Sequence, residues 1–158
     1  MKCDKQIISL LNEVLCSELT SINQFFLHAR MYKNWGLTGL NNQSYNKSIK
    51  DMQQADTLIE RILFLDGLPN LQMLGKLSIG EQTAEMLACD MNFELQQLPL
   101  LKKGISLCEK MQDYVSRALL EDILEDEEAY IDWLETQQYQ IANMGIENYL
   151  QTQVAAGE

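Results

Sequence analysis

Apolar positions recur at helical spacing along most of the chain, and their interruptions divide it into four long segments. From about Lys5 to Asn34 the stripe is Ile8, Leu11, Leu15, Leu19, Ile22, Phe26 and Ala29, and it stops at Trp35-Gly36, where glycine suits a helix C-terminus. A second stripe follows the turn-forming cluster Gly39 to Asn42. It runs through Tyr45, Ile49, Met52, Ala55, Leu58, Ile62 and Leu65 until Asp66-Gly67-Leu68-Pro69 ends it. The stretch from Asp66 to Gly80 mixes turn residues with Leu71, Met73, Leu74, Leu77 and Ile79, which predicts a long connection lying on apolar surface. Ser78-Ile79-Gly80-Glu81 has the serine and glutamate of a capping box, predicting a third helix through Leu87, Met91, Leu95 and Leu98 toward Met111. Pro99 lies inside that pattern and predicts a kink. Asp113 suits the N-cap of a fourth helix through Val115, Leu119, Ile123, Tyr130, Leu134 and Ile141 to Met144, with Gly145 as its stop and a short fifth helix over Asn148 to Val154.

No segment alternates with the period of a strand, so the fold class is all-α. Four long helices with short first and third turns and one long middle crossover are the pattern of a ferritin-like four-helix bundle. The expectation is one ferritin-like domain over residues 1–158, with a short fifth C-terminal helix.

Composition narrows the function. A chain of 158 residues that is 46% apolar buries one good core. No apolar run is long enough to span a membrane, and Lys2, Asp4, Lys5 and Glu13 break up the N-terminus, so a soluble cytoplasmic protein is expected. Cys3, Cys16, Cys89 and Cys108 form no CxxC pair and read as reduced thiols in helices. The net charge of -11 disfavours nucleic acid and anionic membrane as partners and favours cations or a basic partner.

Candidate chemistry lies in the acids. Ferritin-like di-iron sites use one Glu from each of two helices and Glu-x-x-His from each of the other two. Here Glu18, Asp51-Met52-Gln53-Gln54, Glu94 and Glu127-Glu128-Ala129-Tyr130 occupy those places. Residues three apart share a helix face, so Asp51 with Gln54 and Glu127 with Tyr130 are predicted to point inward beside Glu18 and Glu94. Four buried carboxylates are costly without cations, which marks the set as a trace of metal binding. Gln54 and Tyr130 replace the histidines, and an amide and a neutral phenol are poor ligands for iron. His28, the only histidine, falls on another face and reads as a hydrogen-bonded structural residue.

The stretches Ile22-Asn-Gln-Phe-Phe-Leu-His-Ala-Arg30, Glu60-Arg-Ile-Leu-Phe-Leu-Asp-Gly-Leu-Pro-Asn-Leu71, Asp113-Tyr-Val-Ser-Arg117 and Ile131-Asp-Trp-Leu-Glu-Thr136 resemble bacterioferritin, and the resemblance runs end to end. It implies a hollow shell of twenty-four subunits storing ferric mineral, with haem b held across each two-fold interface between a methionine of each partner. Met52 stands at that methionine's place, and Leu19, Ile22, Asn23, Phe26, Tyr45 and Ile49 resemble the family's haem pocket. Independently of the resemblance, Tyr45, Ile49 and Met52 form one apolar stripe turned about 100° or more from Asp51 and Leu58. A thioether is a neutral, soft ligand suited to haem iron in electron transfer.

The resemblance also marks departures. It implies Glu18, Asp51, Glu94 and Glu127 as residual di-iron carboxylates, with Gln54 and Tyr130 where histidines are expected. Phe25 replaces the family's phenolic tyrosine beside the site, and Asn46 with Lys50 replace a histidine and an acid of the inner shell surface. Leu68, Glu81 and Glu85 match positions that in related proteins dock bacterioferritin-associated ferredoxin, which delivers electrons for iron release. The expected function is therefore an iron-storage subunit that binds haem b, with its own ferroxidase centre inactive and oxidation supplied by a paralogous subunit in a mixed shell. The alternatives are a working ferroxidase using Gln54 and Tyr130 as atypical ligands, and a shell protein with neither haem nor iron.

Overall fold

The computed structural model describes residues 1–154, which form α1 (Lys5–Asn34), α2 (Thr38–Phe64), α3 (Thr83–Lys110), α4 (Tyr114–Met144) and α5 (Ile146–Val154). The all-α, four-helix architecture with one long crossover and a short fifth helix is the observed one. Among the described residues no helix is long and apolar enough to cross a membrane. Helices α1 and α2 pack as one hairpin and α3 and α4 as another, with α5 against α2 and α4.

The helix ends follow local chemistry. Asp4 caps α1 by accepting from the Gln6 amide at 2.8 Å. At its other end Gly36 has φ +76°, and the Leu37 amide donates to the Tyr32 carbonyl at 2.9 Å, closing a Schellman turn. The same turn ends α2 at Asp66 and α3 at Gln112, both with positive φ. Asp113, next in line, accepts from Ser116 N (3.1 Å), Ser116 Oγ (2.7 Å) and Arg61 (2.8 Å), so one carboxylate ties α2 to the start of α4.

Several boundaries differ from expectation. Residues Gly39 to Asn42 are helical, because the Schellman turn at Gly36 has already reversed the chain and Leu40 is needed in the core. The Ser78-Glu81 box does not cap α3, whose N-cap is Gln82. The chain is still extended at Ser78 and Gly80, whose amides donate to Gln24 Oε1 (3.1 Å) and His28 Nε2 (3.2 Å). Helix α3 runs through Pro99 as expected, with the proline on its exposed side, whereas α5 starts two residues earlier than predicted.

The crossover does not rest on apolar surface. Leu68, Leu71, Met73, Leu74 and Leu77 are exposed, and the backbone is held instead by a polar row on α1. Asn12 bonds Leu68 O and Asn70 N, Thr20 accepts from Gly75 N, and Gln24 and His28 take the amides nearer α3. From Asn12 to His28 is about 24 Å of helix, so the row carries the chain along the bundle.

Two apolar clusters fill the ends of the core. One gathers Leu11, Leu15, Leu58, Ile62, Leu101 and Leu120, and the other Tyr32, Leu40, Met86, Leu87, Leu134 and Tyr149. Between them every long helix contributes buried polar side chains, including Glu18, Asp51, Glu94 and Glu127. A polar layer therefore crosses the middle of the bundle.

Removing the Asp113 carboxylate tests the junction. Burial alone would raise its pKa, but the Ser116 hydroxyl and amide and the Arg61 guanidinium outweigh that and lower it. A carboxylate with a lowered native pKa stabilises the fold above its unfolded pKa, and this is lost as pH falls through the native value. Asp113→Ala should cost about 2 kcal/mol near pH 7. In thermal unfolding followed by circular dichroism, its deficit against wild type should shrink below about pH 4.

Candidate functional site

The mid-bundle layer is built from positions that face inward at helical spacing: Glu18 and Ser21 with Phe25 on α1, Lys47 and Asp51 on α2, Glu94 on α3, Glu127 and Tyr130 on α4. The four predicted carboxylates converge and are fully buried, so Glu94 and Glu127 do not belong to solvated faces. Glu18, Asp51 and Glu127 offer oxygens within 4.8 Å of one another.

The residue that sequence reasoning missed is Lys47. Its ammonium donates to Asp51 Oδ1 at 2.6 Å and to both oxygens of Glu127 at 2.8 and 3.0 Å, and lies 3.5 Å from Glu94 Oε1. The rings of Phe25 and Tyr130 stand at 5.3 and 5.2 Å from the same nitrogen, within cation–π range, and meet each other edge to face. Lys47 thus brings a cation to the carboxylates from within the chain. Its spacing of four from Asp51 and seven from Gln54 was the available signal, since those positions share one face.

One ammonium does not neutralise four carboxylates. Burial, then the neighbouring Asp51 and Glu127, push Glu18 well above the usual carboxylate range. Neither of its oxygens has a hydrogen-bond partner among the described residues. Glu94 is also pushed well up, by burial and by its acidic neighbours Glu127 and Asp51, against the pull of Lys47. Asp51 is raised to about 6, because burial outweighs Lys47 and the hydroxyl of Ser21, which donates to its second oxygen. For Lys47 itself burial opposes the charge, but Asp51, Glu94 and Glu127 prevail and keep it protonated.

Gln54 and Tyr130, at the positions where histidines were expected, do not complete a ligand set. Gln54 is buried but donates to Asp126 Oδ2 at 2.9 Å, while Lys50 pairs with Asp126 Oδ1 at 2.9 Å. Tyr130 presents its ring to Lys47. With the ammonium in place, carboxylates, an amide turned to Asp126 and an aromatic face do not fit a pair of iron ions.

His28 lies apart, as its spacing predicted, in a hydrogen-bonded role. Because Nε2 accepts from Gly80, the ring hydrogen sits on Nδ1 and donates to Asp90 at 2.9 Å. Gln24 donates to the same Asp90 oxygen at 2.9 Å. This buried trio joins α1, α3 and the end of the crossover.

On the outer face of the α1–α2 hairpin, Phe26, Tyr45 and Met52 are 46%, 37% and 52% exposed. Leu19, Ile22 and Ile49 are half-buried beside them, and Asn23 is exposed with its amide on Leu19 O. The Arg30 guanidinium lies over the Phe26 and Tyr45 rings at 5.5 and 5.1 Å. Met52 is therefore not a gap-filler in the core. A half-exposed thioether on an apolar face with aromatic neighbours fits a flat apolar macrocycle whose iron takes a soft ligand. Leu68, Glu81 and Glu85 are all exposed, but they lie at opposite ends of the crossover, so one chain does not bring them together.

Residues 8–144 match the family model for the ferritin-like domain. The chain is 44% identical over 149 residues to bacterioferritin of Mycobacterium leprae and 46% identical over 149 residues to that of Mycobacterium tuberculosis (strain CDC 1551 / Oshkosh), with 94% of each chain covered. It is 40% identical over 158 residues to bacterioferritin of Brucella melitensis, covering 100% of this chain and 98% of the relative. The chain belongs to the ferritin-like proteins and, among them, to the bacterioferritins.

The His28–Asp90–Gln24 trio yields a stability test. Asp90→Leu leaves two buried donors without an acceptor and should cost about 3 kcal/mol, whereas Asp90→Asn keeps an acceptor and should lose roughly half of that. Thermal unfolding of the two variants beside wild type measures both.

Proposed function

We propose that this chain is an iron-storage subunit that binds haem b through Met52 and leaves ferrous oxidation to a second, paralogous subunit in a mixed shell of twenty-four. The observation that carries the proposal is the half-exposed Met52 on an apolar, aromatic-flanked face. A soluble subunit hides such a surface by pairing it, and the same face on a second subunit would supply the opposing methionine.

Haem held there would relay single electrons between the outside of the shell and its iron. The chain's own residues set the conditions. Leu19, Ile22, Phe26, Tyr45 and Ile49 exclude water from the macrocycle, and Met52 Sδ is the atom that would hold its iron. Arg30, beside the patch, supplies positive charge suited to acidic groups at a haem edge. Leu68 of one subunit with Glu81 and Glu85 of its neighbour would form the surface for bacterioferritin-associated ferredoxin, since only two chains together can unite them.

Support for an inactive ferroxidase centre comes from Lys47 among the carboxylates and from Gln54 and Tyr130, which offer no nitrogen ligand. The closeness of Glu18, Asp51 and Glu127 favours the second reading, a ferroxidase with atypical ligands. The rate of ferrous oxidation separates the two.

Shells of this chain alone, purified from haem-supplied cells, should show a haem Soret band that disappears in Met52→Leu. Compared as haem-free shells, the two should differ in thermal stability by less than about 1.5 kcal/mol, because the swap nearly conserves volume. Under air the same shells should oxidise ferrous iron no faster than their Glu127→Gln variant. Rapid, stoichiometric oxidation by wild type would instead establish the atypical ferroxidase.

A further inference from the structure

The family resemblance presents Phe25, Gln54 and Tyr130 as separate departures. The structure joins them in one arrangement around a side chain that sequence reasoning did not single out. Lys47 Nζ is held by Asp51 and Glu127, approached by Glu94, and flanked by the faces of Phe25 and Tyr130. Each contact is of a kind an ammonium seeks: charge-assisted hydrogen bonds to two carboxylates, a third carboxylate within ion-pair distance, and two aromatic faces. Phe25 and Tyr130 fit this role as they stand, since it needs aromatic faces and no donor atom.

We propose that Lys47 is a resident cation that permanently replaces a metal, so that the polar layer is held together by a lysine in an aromatic cage and this subunit folds without any ion. The inference deepens the reading of an inactive oxidation centre and rests on that reading. It adds that the centre is rebuilt for a structural task. Glu18 marks the consequence. Its two oxygens have no hydrogen-bond partner among the described residues, and one of them lies within 4.8 Å of oxygens of Asp51 and Glu127, so a divalent ion is excluded by the ammonium and not by lack of carboxylate donors. Restoring histidines at positions 54 and 130 therefore does not restore metal binding while Lys47 remains.

The test uses assembled shells stripped by chelator, with Co(II) alone as probe, and counts only the binding that Glu18→Gln removes. Wild type and the double variant Gln54→His/Tyr130→His should bind no such Co(II), and the melting temperature of wild type should be the same with EDTA and with Co(II). Lys47→Ala should melt lower by on the order of 10 °C without metal, since it strands buried carboxylates. It should take up about one Glu18-dependent Co(II) per subunit and recover part of the loss. Should that variant not fold, Lys47→Ala/Glu127→Gln removes a charge of each sign and should assemble, which itself supports pairing between the two. Glu18-dependent Co(II) on wild type overturns the proposal, as does a Lys47→Ala shell that is metal-free and fully stable. Neither result bears on haem, because Met52 lies on a different face of α2 and its Soret band is read separately.

Discussion

The bundle turns on a single electrostatic constraint: four carboxylates that are buried at mid-height, one from each long helix, require positive charge beside them. An isolated carboxylate in such a place costs several kcal/mol, and four together repel. Lys47 supplies that charge from within the chain, and where one ammonium falls short, burial and mutual repulsion raise the pKa of Glu18, Asp51 and Glu94 toward the neutral form. The two apolar clusters above and below supply hydrophobic stabilisation, but the layer between them couples all four helices through one charge.

Helix α1 serves three neighbours with three faces. Its apolar face joins the core, Glu18, Ser21 and Phe25 enter the charged layer, and Asn12, Thr20, Gln24 and His28 hold the crossover by its backbone amides. The last arrangement explains why the crossover leaves its leucines and methionines exposed: hydrogen bonds, rather than side-chain burial, fix its path. Those apolar side chains, with Leu63 and Phe64, leave surface available for contacts within a shell.

The buried carboxylate layer and the exposed apolar patch occupy different sides of α2, only one residue apart in sequence at Asp51 and Met52. Consecutive residues on a helix point about 100° apart, which lets one face join the lysine-held layer while the other presents an apolar, aromatic surface. The proposed division of labour among subunits needs this independence. One function can be given up without disturbing the packing that presents the other.

The helical pattern, the long crossover, the four converging acids, the missing histidines and the apolar stripe of Met52 were all legible from the chain, because each depends on spacing along one helix or on residue type. Helix starts at Thr38 and Thr83 were less so, since burial of Leu40 and the amide bonds from α1 override the local turn and capping signals. Lys47 was visible only as a residue four positions before Asp51, and a lysine at that spacing usually makes a surface pair. Its placement among Asp51, Glu94 and Glu127, between Phe25 and Tyr130, depends on α1, α3 and α4 meeting around it. Sequence alone determined that this chain places acids in its core without the usual ligands. Only the tertiary structure decided which cation answers them, because that choice is made by distances between helices far apart in the chain.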